Sequence, residues 1–411
     1  MQTAIPLSLL QQPEIAEADA ILRSCVHCGF CTATCPTYQL LGSELDSPRG
    51  RIYLIKEMLE GNTSGEKTRL HLDRCLTCRS CETTCPSGVQ YGRLIEIGRN
   101  EIEKHAPRSL WSRLIRQAML AIIPHTSRMR LALLLGNLSR PLLPASLRRK
   151  LPRSRTALPR PPERHQRRML VLEGCVQPLV APSTNAAAAR VLDKLGISLL
   201  SAATAGCCGA MHQHMSATEN ARDMMRRNID AWWPYVDSGI EAIVTTASGC
   251  GVMVKEYGHA LQNDPAYAAK AARISSLTRD LSEILRNEDF SRFATTGKGK
   301  RVACQSSCTL QHGQKLGGVV ERILQQCGYV LTPVADSHLC CGAAGTYTLL
   351  QPVLSQQLLQ NKLKALEQGT PDVIVTSNIG CQLHLESAST IPVRHWIELL
   401  ETWLEPEFGD Q

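Results

Sequence analysis

Cys25-Val-His-Cys28-Gly-Phe-Cys31-Thr-Ala-Thr-Cys35-Pro36 and Cys75-Leu-Thr-Cys78-Arg-Ser-Cys81-Glu-Thr-Thr-Cys85-Pro86 are two copies of one pattern, Cys-x2-Cys-x2-Cys-x3-Cys-Pro. Three thiolates on a tight, irregular loop reach three irons of one cubane iron–sulfur cluster, and the fourth is carried off on the following segment to the neighbouring cluster. The spacing therefore predicts one 4Fe-4S cluster on Cys25, Cys28, Cys31 and Cys85, and a second on Cys75, Cys78, Cys81 and Cys35. Zinc favours separated Cys-x-x-Cys pairs or Cys/His mixtures, and a doubled run of four cysteines ending in proline is a different arrangement.

Around these runs the chain reads as helical. Residues 14–24 lead into the first run as a short helix. Between the runs, Ser47-Pro48-Arg49-Gly50 opens a pattern through Ile52, Ile55, Met58 and Leu59 that Gly61 stops. A helix-rich spacer of 39 residues separates Cys35 from Cys75, which is unlike the small β scaffold of compact bacterial ferredoxins. Arg49, Arg51, Arg74 and Arg79 flank the cysteine loops, where they either offset cluster charge or are simply solvated.

The chain has 411 residues and 18 cysteines, enough length for two or three domains. Its first 24 residues lack the basic start and continuous apolar core of a signal peptide, with Glu14, Glu17 and Asp19 where that core would lie. A reducing, cytoplasmic setting is expected, in which clustered cysteines mean metal rather than disulfides. No stretch approaches the length of a transmembrane helix. The net charge of +8 is uneven: residues 105–168 hold fifteen Lys and Arg against one acid, Glu163, leaving the remainder negative. In that segment Trp111, Leu114, Ile115, Met119 and Leu133–Leu135 alternate with Arg113, Arg116, Arg128 and Arg130, and a Pro- and Arg-rich linker follows from Leu147. A basic amphipathic segment suits an anionic membrane surface or a partner; otherwise it is a helical hairpin with a solvated linker. No base-reading module or aromatic platform accompanies it, so nucleic acid is not an expected partner.

From residue 169 the sequence repeats. Met169–Cys175 matches Val302–Cys308, Cys207-Cys208-Gly209 matches Cys340-Cys341-Gly342, and Ile243–Cys250 matches Ile374–Cys381, at offsets of 133, 133 and 131. An internal duplication accounts for this. Each half alternates strand-like runs (Met169 onward, Ile197–Leu200, Ile243–Thr246; Val302 onward, Tyr329–Pro333, Val373–Thr376) with helical ones (Ala187–Leu195; Val319–Cys327). That implies α/β layers on a parallel sheet, with every cysteine position at the carboxyl end of a strand, where such sheets hold ligands.

At these residues, and most closely at Cys25–Gly42, Ser47–Lys56 and Cys308–Leu316, the chain resembles the iron–sulfur subunits of bacterial glycolate oxidase. These are proteins with two cysteine-rich "CCG" domains behind a helical two-cluster ferredoxin domain, and the resemblance covers essentially the whole chain. The fold class expected is α+β multidomain: a ferredoxin domain (1–104), a basic linker segment (105–168) and two α/β CCG domains (169–290 and 298–411). The resemblance implies two 4Fe-4S clusters on this chain and an oxidoreductase complex whose FAD-containing subunits oxidise glycolate to glyoxylate. It also implies electron flow towards a quinone-linked acceptor, with the complex peripheral on the cytoplasmic face of the inner membrane. Sister complexes oxidising lactate or sn-glycerol 3-phosphate, and a heterodisulfide-reductase-like thiol/disulfide reductase, are the rival readings. Relatives of the last kind end each CCG domain in Cys-x-x-Cys and bind a non-cubane cluster there; here Ala247 and Asn378 replace the first cysteine of that pair. For Cys175, Cys207, Cys208, Cys250, Cys304, Cys308, Cys340, Cys341 and Cys381, three readings stay open: a third cluster, zinc, or thiols shaping a partner interface. His212, His214, His312, His338 and His384 lie near enough in sequence to join such a site. The chain offers no dinucleotide fingerprint, no P-loop and no acid/base pair for substrate, so catalytic residues and flavin are expected on another chain.

Overall fold

A computed structural model describes residues 1–62, 65–140, 156–290, 293 and 296–401; the basic positions at 148–155 lie outside the described residues. The chain gathers into two compact units. The first comprises Met1–Arg116, Gln213–Ser216 and His338–Lys362, and the second takes the remaining described residues.

Among its described residues the first unit contains helices and no strand. Pro13–Ser24 and Pro48–Leu59 each begin with proline, whose fixed φ suits the first helical turn. Ser47 caps the second by accepting from the Gly50 amide at 2.9 Å. Glu66–Asp73 and Tyr91–His105 complete the set. Their apolar faces meet in a core of Ile15, Leu22, Ile55, Leu72, Leu94 and Ile102, all essentially inaccessible. Gly98 allows the close crossing of Pro48–Leu59 and Tyr91–His105, since a Cβ there would lie 2.6 Å from Ile55 Cδ1.

The second unit holds two four-stranded parallel sheets of identical topology. The strands are β1 (Arg167–Val171), β2 (Ile197–Ser201), β3 (Ala242–Thr245), β4 (Thr278–Asp280), β5 (Arg301–Gln305), β6 (Val330–Leu331), β7 (Val373–Thr376) and β8 (Val393–His395). Their orders are β2-β1-β3-β4 and β6-β5-β7-β8, the duplication carried into topology. The central strands β3 and β7 read Ala-Ile-Val-Thr and Val-Ile-Val-Thr and are buried at every position, as parallel strands covered on both faces must be. Neighbouring residues serve opposite faces: Leu170 and Ile243 enter the core around Trp232 and Tyr257, while Met169 and Val244 enter a core shared by both repeats.

That shared core binds the repeats reciprocally. The helix after β8, Trp396–Glu401, packs on Pro182–Lys194 of the first repeat, where Glu398 accepts from the hydroxyls of Ser183 and Thr184. The helix after β4, Leu281–Leu285, puts Leu281 and Leu285 into the same core as Val320, Ile323 and Leu324 of the second. At the strand ends, the Ser248 amide donates to the Ser377 carbonyl at 3.0 Å. His395 Nε2 donates to the Thr246 carbonyl at 2.8 Å.

In the basic segment two helices form, Leu110–Ile122 and Thr126–Leu138, bent by 107° at their junction. Among the described residues no single helix is long and apolar enough to cross a membrane.

Candidate metal centres

The two cysteine runs adopt the same backbone. In the first, His27 and Gly29 have φ of 58° and 88°; in the second, Thr77 and Arg79 have 52° and 59°. Left-handed conformations at three non-glycine positions are uncommon, each carrying strain, and they recur at the same two places of each Cys-x2-Cys-x2-Cys loop. The turns bring the sulfurs inward. Cys25, Cys28, Cys31 and Cys85 line one cavity of about 420 Å³, counting the space open at its mouth. Cys35, Cys75 and Cys78 line another of about 300 Å³. Cys81, Pro48 and Tyr91 contribute to both, so one thin wall separates the two spaces. Among the described residues no three Cys, His, Asp or Glu side chains are arranged around a single ion. Donors spread round a cavity fit a polynuclear cluster instead.

Burial raises the thiols that no counter-charge offsets: Cys31 is pushed up to about 11, and Cys78 and Cys81 go well above the usual value. Iron takes the thiolate form, so loading these sites releases the protons that burial retains. The second cavity has its own polar frame. The Thr77 amide lies 3.4 Å and the Tyr91 hydroxyl 3.6 Å from Cys75 Sγ, and the Thr37 hydroxyl is 3.3 Å from Cys35 Sγ. N–H and O–H groups aimed at ligand sulfurs favour the reduced, more negative cluster.

Asp46 and Arg51 stand behind this frame with side chains 1% exposed. Arg51 donates to Asp46 Oδ1 at 3.3 Å, to Thr37 Oγ1 at 3.1 Å and to the His71 carbonyl at 2.7 Å. Burial alone would lower its pKa, yet the Tyr91, Cys75, Cys35 and Asp46 groups around it raise it. Asp46 also takes Arg74 and His71, both at 3.0 Å. Of the four arginines noted in the sequence, Arg51 is thus fully interior, and the solvated reading fails for it because a buried carboxylate holds it. Arg49 remains partly exposed on Glu44 at 2.7 Å. Sequence reasoning missed Arg99, which is buried and clamps the second loop through the carbonyls of Leu72 and Cys75 and the Thr77 hydroxyl. Its position three turns into an amphipathic helix gave no local sign of that role.

The second unit gathers the thiols of the first repeat. Cys175 follows β1, Cys207 and Cys208 follow β2, and Cys250 lies in the helix Ser248–Lys255 after β3. The neighbouring Cys175 and Cys208 thiols hold that of Cys207 well below the ordinary value, while Cys207 and burial push those two well above it, Cys250 adding to the rise at Cys208. His212 is buried beside Cys207.

Other sequence candidates go elsewhere. His214, in the first unit, pairs with the buried Glu96 at 3.3 Å. Burial alone would raise the pKa of Glu96, but His214, Arg93 and Arg79 bring it down to about 2. In the second unit, Cys304 sits in the apolar core, where burial and Glu321 push its thiol up. Cys381 accepts from Asn378 Nδ2 at 3.5 Å, Cys308 is half-buried before the turn at Thr309–Gly313, and His312 is buried. His384 is half-buried. In the first unit, Cys340 and Cys341 are buried, Cys340 beside Cys78, and His338 is half-buried.

Residues 21–89 match the 4Fe-4S dicluster domain family, and residues 169–255 and 302–386 each match the cysteine-rich domain family. Over 408 residues, 99% of this chain and 100% of the relative, the sequence is 56% identical to the glycolate oxidase iron-sulfur subunit of Escherichia coli (strain K12). It is 31% identical over 395 residues to the probable glycolate oxidase iron-sulfur subunit of Bacillus subtilis (strain 168), covering 89% of this chain and 88% of that one. Lactate utilization protein A of Bacillus licheniformis is 24% identical over 237 residues, 56% of this chain and 96% of that protein.

Proposed function

This chain belongs to the family of glycolate oxidase iron–sulfur subunits, and from that premise we propose that it relays electrons from a flavoprotein partner oxidising glycolate to glyoxylate towards an acceptor at the membrane. Glycolate gives up two electrons and two protons in becoming glyoxylate, and a flavin on the partner receives them. When bound, two 4Fe-4S clusters supply one-electron carriage between that flavin and the acceptor. Cys25, Cys28, Cys31 and Cys85 hold one, and Cys75, Cys78, Cys81 and Cys35 the other. The observation that carries this reading is the pair of cavities lined by these crossed sets of thiols and divided by one shared wall. Pro48 and Tyr91 are part of that wall, while Arg51, Thr77 and Tyr91 supply fixed positive and hydrogen-bonding character to the second site. Full-length identity to a glycolate oxidase subunit, against partial coverage by lactate utilization proteins, favours glycolate over lactate as the substrate of the complex.

Cys28→Ser tests the relay: one cubane signal is lost, dye-linked glycolate oxidation by the assembled complex falls to background, and flavin stays bound. Unchanged turnover in that variant overturns the reading.

Peripheral attachment is part of the proposal. Leu131, Leu134 and Leu138 are more than half exposed on Thr126–Leu138, a helix that also carries the exposed Arg128 and Arg130. Exposed apolar side chains and cations on one helix suit the interface of an anionic bilayer, each surface arginine contributing about 1 kcal/mol. Replacing Arg128 and Arg130 by glutamine weakens the hold of the complex on vesicles rich in anionic lipid; full retention excludes this helix.

A further inference from the structure

Tyr91 borders both cavities of the first unit, yet its hydroxyl serves only one of them. The ring is 4% exposed and belongs to the wall common to the two spaces. Its O–H points to Cys75 Sγ at 3.6 Å, a ligand position of the second set. A phenol with an ordinary pKa near 10 keeps its proton at neutral pH, so it is a donor there.

The helix that carries Tyr91 is tied to the second cysteine run at two places, which fixes the direction of that bond. Tyr91 is the first residue of Tyr91–His105. The amide of the next residue, Gly92, donates to the carboxylate of Glu82, one position after Cys81. Two turns further on, Arg99 donates to the Cys75 carbonyl at 2.6 Å and to the Leu72 carbonyl at 2.8 Å. Helix and loop are thus held together at their backbones, and the hydroxyl meets the sulfur without having to hold the two in place itself.

The two sites differ in side-chain donors. Backbone amides approach thiols of both sets, at Cys31 in the first and at Cys75 in the second. The Thr37 hydroxyl lies 3.3 Å from Cys35 Sγ, again in the second set. Thr34 also lines the second cavity, and its Oγ1 is buried with no hydrogen-bond partner, a donor suited to a sulfur-rich group placed there. Among the described residues no side-chain hydroxyl is bonded to Cys25, Cys28, Cys31 or Cys85. Donors on ligand sulfur stabilise the additional negative charge of a reduced cluster. Water at the exposed Cys28 acts in that sense on the first site, whereas Tyr91 acts on the second alone.

We propose that Tyr91 is a positioning residue for electron passage within this chain: its hydroxyl on Cys75 raises the potential at the second site relative to the first. The proposal rests on the two-cluster relay described above. One electron, supplied by the reduced flavin of the partner, leaves the site on Cys25, Cys28, Cys31 and Cys85, which is oxidised, and enters the site on Cys75, Cys78, Cys81 and Cys35, which is reduced. The Tyr91 hydroxyl favours that direction and lends no atom to the transfer.

Tyr91→Phe removes the hydroxyl and keeps the ring in the wall. EPR-monitored redox titration of the anaerobic full-length chain should show the second midpoint fall relative to the first by about a tenfold change in the equilibrium between the sites, about 59 mV for one electron. The first midpoint stays where it was, and Cys28→Ser identifies which signal is which. In the natural chain, exchange into heavy water removes a proton coupling at the reduced second site, and that coupling is already missing in Tyr91→Phe. An unchanged gap between the midpoints overturns the proposal, as does a parallel shift of both, which would report a loosened wall. A fall from about eight irons per chain to about four in the variant also overturns it, since the hydroxyl would then be a structural support for Cys75. Failure of the relay itself shows separately, as a natural chain without two cubane signals, and removes this proposal with it.

Discussion

A buried charge is tolerated where its partners are fixed, and Asp46 has two arginines, Arg51 and Arg74. Arg51→Met removes the innermost one and leaves the carboxylate short of compensation in an interior where truncating a buried pair costs about 3–5 kcal/mol. The same change strips positive charge from beside Cys35 and Cys75. Denaturant unfolding of the anaerobic protein should show a loss of that size, and redox titration a lower potential for one cluster and not the other; an unaltered unfolding midpoint would contradict it. His395 makes a residue-level prediction about pH. Burial depresses its folded-state pKa from 6.5 to about 4, although its bond to the Thr246 carbonyl works the other way. The neutral ring is thus the folded form. Its contribution is present above about pH 6.5 and is lost as pH falls towards 4. Between pH 7.5 and 5.5 the loss is about 1.4 kcal/mol. Asp280, raised by burial to about 6, slopes the opposite way over the same range, so the comparison is between the natural chain and His395→Gln. The protection of the amides around Ile397, whose N–H donates to His395 Nδ1 at 3.3 Å, should fall on acidification, relative to the intrinsic exchange rate at each pH, more in the former than in the latter.

At the scale of elements, the helices of the first unit announce themselves because their starts and stops are written in Pro48, Ser47 and Gly61, and their faces in Ile52, Ile55 and Leu59. What the sequence does not announce is how close two helices come. Gly98 looks like a weak point in Tyr91–His105, yet it is the contact with Ile55. Gly98→Val gains helix-forming backbone but drives two methyl groups into a filled core, an overpacking cost of about 1–3 kcal/mol; the unfolding midpoint of the first unit checks it, and a neutral result would mean the helices separate freely. Strands β1, β2, β3, β5 and β7 are legible as apolar runs. β4 and β8 are not: Thr278-Arg-Asp280 and Val393-Arg-His395 are three residues long with an exposed arginine in the middle, too short for any periodicity, and pairing to β3 and β7 makes them strands. The ligand spacing of the two cysteine runs is equally plain in the sequence, whereas the left-handed turns at His27, Thr77 and Arg79 that aim those sulfurs have no residue signature, since glycine occupies one of the four positions.

Over the whole molecule, the least legible fact is that the chain returns. The duplication assigns Cys340-Cys341-Gly342 to the second repeat, and a linear reading leaves it there. His338–Lys362 nevertheless belongs to the same compact unit as the N-terminal helices, where the Tyr347 hydroxyl donates to the Arg74 carbonyl at 3.0 Å, just before Cys75. Cys340 is, after burial, the strongest influence on Cys78. Some 260 residues of sequence are thereby closed into one contact, an arrangement that a repeat standing alone would not need. The consequence concerns the second cavity. A buried S–H dipole next to a ligand sulfur helps to stabilise the extra electron of a reduced cluster, as other hydrogen-bonding groups do. Cys340→Ala removes that dipole without disturbing any of the eight thiols that line the cavities. The potential of the cluster on Cys75, Cys78, Cys81 and Cys35 should fall by tens of millivolts, about 59 mV being a tenfold change in a one-electron equilibrium, while the cluster on Cys25, Cys28, Cys31 and Cys85 keeps its value. EPR-monitored redox titration separates the two. Equal shifts in both would point to a general loosening of the unit, and no shift in either would mean that the returning motif only packs against the site and leaves its energetics alone.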